Sequence, residues 1–374
     1  MLLICGRTRP VFIRERGSAG NTIVSFAGLF FIMQGDVMTI LWLQFLTCSA
    51  VIVYCGTNLS RYGDMIAEKT GLGRAWIGLI LMASVTSLPE LVTGISSVTI
   101  AGAPDIAVGD VMGSCVFNLS IIALLDIIHG PKPIFSKAEH GHTLSAGFGL
   151  ILIGIASISL LAGGSVYTLG HVGLVTPLIV AVYAFGMRGL FLYEQKKIAS
   201  FVSDMARHLQ YEKYTLKDAV VKYGLNAAAI AGAAVWLPFI ADRLAVETGL
   251  GRSFVGSVFV AMTTSLPELA VSIAALRIGA ADLAIANLLG SNMFNIFILA
   301  VDDMAFTGGP LLSAVSQNHA VTGLIAVVMT GMIMVSLEYR LEKKAFLRLG
   351  WDAVALLMAY GVSIALLYLL RTRG

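Results

Sequence analysis

Two pentapeptides set hydroxyls, a proline and a carboxylate inside otherwise apolar runs: Thr86-Ser87-Leu88-Pro89-Glu90 and Thr264-Ser265-Leu266-Pro267-Glu268. Thr86 and Ser87 precede Glu90 by four and three residues, so near-helical geometry puts all three on one face, and Thr264, Ser265 and Glu268 repeat the spacing. Pro89 has no N–H to donate to the carbonyl of Val85, and Pro267 none for that of Thr263, so each proline is expected to free a carbonyl oxygen. Carboxylate, hydroxyl and carbonyl oxygens together suit hard cations, above all Ca2+, which takes about 6 to 8 oxygens in flexible geometry. Soft metals would require sulfur or imidazole.

Each pentapeptide is followed by a polar stripe. Asp110, Ser114 and Asn118 are spaced by four, as are Asn287, Ser291 and Asn295. Ligation is the preferred reading for Ser114, Asn118, Ser291 and Asn295, although Gly113-Ser114 and Gly290-Ser291 also permit close helix approach. Asp126 and Asp303 lie toward the ends of these runs, where they would attract cations at a vestibule or hold a loop. The structural role is preferred. Asp105 and Asp282 follow short turns and read as N-caps.

An ionisable side chain in mid-span costs a few kcal/mol and is a functional hypothesis by default. The plain alternative, a buried Glu paired with a base, lacks its base: no Lys or Arg occurs in 75–100, 105–128 or 282–303, and Arg277 lies at a segment end. Glu90 and Glu268 are therefore expected to find their counter-charge in a bound ion.

The elements that position these groups are membrane helices. Hydrophobic residues make up 57% of the chain and charged ones 13%, against about a quarter charged in soluble domains. Ten apolar segments follow from Met38, at 38–56, 75–100, 105–128, 143–163, 168–190, 222–241, 253–276, 282–303, 318–337 and 348–370. Residues 1–37 carry Arg7, Arg9, Arg14 and Arg16 before a short apolar run. They read as a signal-like segment, an extra helix, or an extension upstream of initiation at Met38. Cys5, Cys48, Cys55 and Cys115 lack metal or disulfide spacing and are expected to be reduced packing residues. The histidines, His140 and His142 included, are expected at the surface.

The chain is an internal repeat. DMIAEKTGLGRAWIG from Asp64 matches DRLAVETGLGRSFVG from Asp242, and at the same offset Glu90 falls on Glu268. After a one-residue gap the register places Asp105 on Asp282, Ser114 on Ser291, Asn118 on Asn295 and Asp126 on Asp303. The expected fold is all-α, with ten transmembrane helices as two five-helix repeats, 38–191 and 222–370, joined by a linker at 192–221. Five spans being odd, the second repeat enters the membrane from the opposite side, so the repeats are inverted and a binding site is expected at mid-membrane between them. Lys132, Lys137, Arg188, Lys196 and Lys197 share the linker's side, whereas Arg243, Arg252, Arg371 and Arg373 lie on the other. The linker is accordingly expected to be cytoplasmic.

At these residues the chain resembles the calcium/cation antiporter superfamily, specifically its sodium/calcium exchangers. The resemblance rests on ASVTSLPELVTG with GDVMGSCVFN and on AMTTSLPELAVS with ANLLGSNMFN. It is weaker to the proton/calcium branch, whose repeats usually carry Gly-Asn-Ala shortly before the glutamate. The resemblance implies secondary antiport of Na+ against Ca2+ by alternating access, with Glu90 and Glu268 as central carboxylates. It further implies hydroxyl ligands at Thr86, Ser87, Ser114, Thr264, Ser265 and Ser291, and carboxamides at Asn118 and Asn295. Asn295 stands where archaeal and potassium-dependent relatives place an aspartate, and Asp110 stands where an asparagine is common.

The alternative is proton-coupled antiport of Ca2+ or another divalent cation, and K+ participation is open. A non-transporting membrane sensor is a third class. No HExxH, GxSxG or other catalytic arrangement is present, so an enzyme is not expected. The expected partners are ions and the lipid bilayer, without cofactor or nucleic acid, and a monomer suffices. The expected location is the plasma membrane, the inner one in a bacterium.

Overall fold

The computed structural model describes residues 26–70, 86–130, 132–139, 141–163, 168–205, 215–339 and 350–371. Chain packing separates a first unit, Met1–Ile40, from a second, Leu41–Gly374. Of the first, helical backbone is described from Phe26. The N-terminal arginines, Cys5, Gly71–Arg74 of the first Thr-Gly-Leu-Gly-Arg copy, Val85 and His140 lie outside the described residues.

The helices, in chain order, are α1 Phe26–Thr70, α2 Leu88–Ser96, α3 Pro104–His129, α4 Gly141–Leu161, α5 Val175–Met205 and α6 Leu216–Thr248. They continue as α7 Arg252–Thr264, α8 Leu266–Arg277, α9 Ala281–Ala305, α10 Asn318–Tyr339 and α11 Trp351–Leu370. Alpha-helix α2 runs on into a π-helical stretch, Ser97–Ala101, and α7 contains another, Val255–Val260. A two-residue hairpin, Thr168–Leu169 with Val172–Gly173, precedes α5, so the predicted span at 168–190 begins as a turn.

Among the described residues eight helices are long and apolar enough to cross a membrane. The bent pair α7 and α8 passes the same test when its two helices are taken together, as a broken span or a re-entrant loop, and Leu88–Ala101 is a shorter apolar helix. The molecule is a multi-pass, all-helical integral membrane protein apart from the hairpin. Its helices are apolar on every face, as membrane helices are, so burial and not amphipathic patterning shows which lie at the centre. In α3 83% of the most apolar stretch is buried and in α9 72%, against 22% in α1, α5 and α11.

Helices α3 and α9 pack on each other, α4 lies on α9 and α10 on α3, α4 and α10 pack on one another, α5 lies on α4 and α9, and α11 lies on α10 and α3. Close approach of α3 to α7 depends on glycine. A Cβ at Gly113 would lie 2.2 Å from the Ser257 carbonyl oxygen, and one at Gly109 would lie 3.0 Å from the Gly256 Cα. Backbone thus meets backbone at this crossing, as small residues allow in membranes.

The aspartates at the helix ends tie the bundle together. Asp105 accepts from the Ser316 backbone N–H at 2.8 Å and bonds His319 Nε2 at 3.0 Å; Asp282 accepts from the Glu139 N–H at 2.9 Å and bonds His142 Nε2 at 2.8 Å. These residues do not cap their own helices, whose N-caps are Ala103 and Ala280. Nor are the two histidines at the surface: His142 and His319 are buried. A buried imidazole needs a partner, and each finds one on the first turn of the facing helix.

Candidate functional site

Both pentapeptides break their helices at the serine. Ser87 has φ −87° and ψ 14°, Ser265 has φ −90° and ψ 4°, and α7 and α8 meet at 40° across Ser265. Each proline stands in the first turn of the helix that restarts, where no intrahelical N–H is required of it. Glu90 and Glu268 consequently occupy the first turns of α2 and α8. Unpaired backbone N–H groups there give a field that favours a carboxylate. The restart puts each acid at the positive end of a helix.

The two breaks face each other. Ser87 Oγ donates to Glu268 Oε1 at 3.0 Å, and Ser265 Oγ donates to Glu90 Oε1 at 2.9 Å. Both glutamates are 0% exposed, and both Oε2 atoms lack a hydrogen-bond partner. The hydroxyl of Thr86 is also directed at Glu268. Helix α1 closes over the second break, where Ser49 Oγ lies 3.0 Å from Thr263 Oγ1 and a Cβ at Gly56 would fall 2.6 Å from Pro267 Cγ.

Helix α3 brings Asp110 and Ser114 to the same place. Thr264 Oγ1 donates to Asp110 Oδ1 at 2.7 Å, and Ser114 Oγ lies 3.5 Å from Thr264 Oγ1. Asp110 is 0% exposed with Oδ2 unpartnered, and it is close enough to Glu90 and Glu268 for their charges to repel. On α9, Ser291 Oγ and both side-chain polar atoms of Asn295 are buried without partners. Asn287 turns away and donates to Ser272 Oγ at 3.2 Å.

Asn118 is oriented by a residue that the spacing did not single out. Its Nδ2 donates to Asn292 Oδ1 at 3.1 Å, while Asn292 Nδ2 donates to the Cys115 carbonyl at 3.1 Å. With its amide nitrogen engaged, Asn118 leaves Oδ1 free of donors. The counterpart of Asn292 is Cys115 itself, so the two-half register held no matching amide to draw attention to it.

Asp126 and Asp303 lie apart from this cluster in function. Asp126 accepts from the Ile134 N–H at 2.7 Å and the Gly350 N–H at 3.1 Å. Asp303 accepts from the Leu311 N–H at 2.6 Å, from the Gly173 N–H at 2.9 Å and from the Thr176 hydroxyl. Both hold loops. Cys48, Cys55 and Cys115 are free and buried.

The result is a set of buried acceptor oxygens without protein donors: Glu90 and Glu268 Oε2, Asp110 Oδ2, and the Asn118 and Asn295 Oδ1 atoms, with the Ser291 hydroxyl also unpartnered. Among the described residues no three His, Cys, Asp or Glu side chains converge in a ready-made metal cage. A cation here would draw on hydroxyl and amide oxygens as well as carboxylates, the donor set of hard ions. Oxygens buried this completely without protein donors are costly unless an ion or water satisfies them.

Known proteins resemble the chain over most of its length. The family model described as sodium/calcium exchanger protein matches residues 40–190 and 219–369. The inner membrane protein YrbG of Escherichia coli (strain K12) is 27% identical over 296 residues, covering 74% of this chain and 84% of that protein. The sodium/calcium exchanger MaX1 of Methanosarcina acetivorans is 25% identical over 344 residues, covering 82% and 93% respectively. The structure of the sodium-calcium exchanger NCX_Mj soaked with 2.5 mM Na+ and 0.1 mM Sr2+ superposes with a TM-score of 0.57 at 21% identity, over 88% of this chain and 99% of that one. That likeness is one of fold.

Proposed function

The chain belongs to the sodium/calcium exchanger protein family and is a membrane cation antiporter, and from that premise we propose that it exchanges Na+ for Ca2+ by alternating access. The observation that carries this reading is the reciprocal pairing of Ser87 with Glu268 and Ser265 with Glu90, which leaves one oxygen of each buried glutamate without a donor. Two carboxylates balance one Ca2+ or two Na+, so the ions compete for overlapping oxygens. Ligands are Glu90, Glu268, Thr86, Ser87, Ser114, Asn118, Thr264, Ser265, Ser291 and Asn295, with Asp110 beside them.

Coupling follows from the cost of the empty state. Two like charges in a poorly solvated cavity are expensive, because burial strengthens their repulsion and removes their hydration. The empty carrier therefore does not reorient, whereas carriers loaded with Ca2+ or with Na+ do. The moving parts are α1 and α6, which cover the breaks and bury less of themselves than α3 and α9 do. The architecture behind this motion is ten helices in two inverted repeats, in the plasma membrane with the central linker cytoplasmic. A monomer suffices for this cycle.

The test is uptake of radiolabelled Ca2+ into proteoliposomes under imposed Na+, K+ or H+ gradients. Uptake driven by an outward Na+ gradient, with no response to pH alone, supports the reading. Uptake driven by a pH gradient and indifferent to Na+ replaces it with proton-coupled antiport.

A further inference from the structure

Asp302, on α9, is a carboxylate with no structural employment. It is 0% exposed, and neither of its oxygens has a hydrogen-bond partner. Its neighbour Asp303 holds three loop donors, which makes the contrast local. The carboxylate lies flush against Gly94 of α2, where a Cβ would come within 2.3 Å of Oδ2 and 2.6 Å of Oδ1. Gly94 is one helical turn beyond Glu90 and on the same face. Between them on that face stands Thr93, also 0% exposed, with its Oγ1 unpartnered. The charged group close enough to repel Asp302 is Asp110, whose Oδ2 is unpartnered too.

The other half of the molecule shows what a purely structural version of this place looks like. In the two-half register Gly94 corresponds to Ser272, Asp110 to Asn287 and Asp302 to Leu125. There, Asn287 Nδ2 donates to Ser272 Oγ at 3.2 Å, and the counterpart of Asp302 is the buried, apolar Leu125. That contact carries no charge, although Asn287 Oδ1 has no hydrogen-bond partner there. Where Gly94, Asp110 and Asp302 meet, all three positions differ from their counterparts: a glycine cradle stands for the hydroxyl, and acids stand for the amide and the leucine. An ionised carboxylate buried without donor or base costs several kcal/mol, and a leucine would avoid the cost.

We propose that Asp302, seated on Gly94 beside Thr93 and Asp110, binds one monovalent cation, Na+ or H+, at a second site adjoining the Glu90 and Glu268 pair. One charge suffices, because Asp110 already receives the Thr264 hydroxyl and belongs with the central cluster. The proposal rests on the exchange reading above and adds a coupling ion to it.

The test uses the full chain in detergent and in proteoliposomes, comparing the parent with Asp302→Asn, Asp302→Leu and Gly94→Ala. Thermal unfolding is followed against Na+ concentration at fixed pH, and protons released on Ca2+ addition are counted in weak buffer. Removing the carboxylate should lower the Hill slope for Na+ by about one while the Ca2+-induced rise in midpoint persists. If the ion is H+, the Na+ slope stays and the count of released protons falls by about one instead. Gly94→Ala, which forces the carboxylate aside, should reproduce the loss, and Asp302→Asn keeps the side chain's shape should the leucine variant fail to fold. Folded variants that retain both the parental Na+ slope and the parental proton count overturn the site. Parental Ca2+ flux alongside such variants overturns it alone, whereas a parent without flux under any gradient overturns the exchange reading with it.

Discussion

Ser87 and Glu268, from opposite halves of the sequence, are joined by a hydrogen bond of 3.0 Å in the buried centre of the bundle, and Ser265 and Glu90 repeat it at 2.9 Å. Each serine is the residue at which its own helix breaks, so the geometry of one break sets the position of the other's carboxylate. Ser87→Ala or Ser265→Ala should therefore weaken apparent Ca2+ affinity by about tenfold, the loss of a hydrogen bond to a charged group being worth roughly 1.5 to 3 kcal/mol. The check is the Ca2+ concentration for half-maximal Na+-driven flux. Unchanged affinity in both variants would show that the hydroxyls only fill space.

Asn292 holds the Asn118 amide by its nitrogen and leaves the oxygen free. Asn292→Leu should reduce stability by about 1 to 3 kcal/mol, since it strands the Asn118 amide and the Cys115 carbonyl, and should also weaken Ca2+ binding. Asn118→Ala is expected to weaken Ca2+ binding with a smaller loss of stability. Thermal midpoints and Ca2+ titrations on the two variants separate a positioning role from a ligand role.

The contact of α3 with α7 leaves no room at Gly113, where a Cβ would meet the Ser257 carbonyl at 2.2 Å and the Ala261 Cβ at 2.7 Å. Gly113→Ala should cost about 1 to 3 kcal/mol through overpacking and should move Asp110 and Ser114 away from Thr264. Flux should fall further than in Gly154→Ala, where a Cβ meets nothing within 4 Å.

His319 is fully buried against Asp105 and Ser253, with Nε2 at 3.0 Å from the Asp105 carboxylate and 3.3 Å from the Ser253 hydroxyl. His319→Ala should lower folded yield and thermal midpoint, by about 1 to 3 kcal/mol, while the protein that folds keeps the parent's ion preference. A change of ion preference at full stability would place His319 in the transport pathway instead.

The groups that touch across the centre were legible in the sequence because they repeat: Thr, Ser and Glu in the pentapeptides, and the four-residue spacing of Ser114 with Asn118 and Ser291 with Asn295, survive in both halves. What escaped was whatever one half holds alone or whatever joins the halves. Asp302 stands against Leu125 in the register and was masked by Asp303, which does repeat. Asn292 stands against Cys115. The aspartate and histidine links were in principle visible, since His142 and His319 keep the same register as Asp105 and Asp282. Nothing local to a histidine reveals a partner on another helix, however, so both were placed at the surface. Helix limits at the breaks were lost for a related reason. A run such as 253–276 reads as one apolar span, and the turn at Ser265 arises from the Pro267 ring acting on the chain before it.

The central claim is that Glu90 and Glu268 carry the transported cation. It is tested most directly by Na+-driven uptake of radiolabelled Ca2+ into proteoliposomes containing the parent, Glu90→Gln or Glu268→Gln, each reconstituted at equal density and checked for folding. Gln keeps the size and the acceptor oxygen while removing the charge, so both variants should lose at least about a hundredfold in flux, as expected when roughly 3 kcal/mol of charge balance is taken from a buried site. Parental flux in both variants would contradict the account.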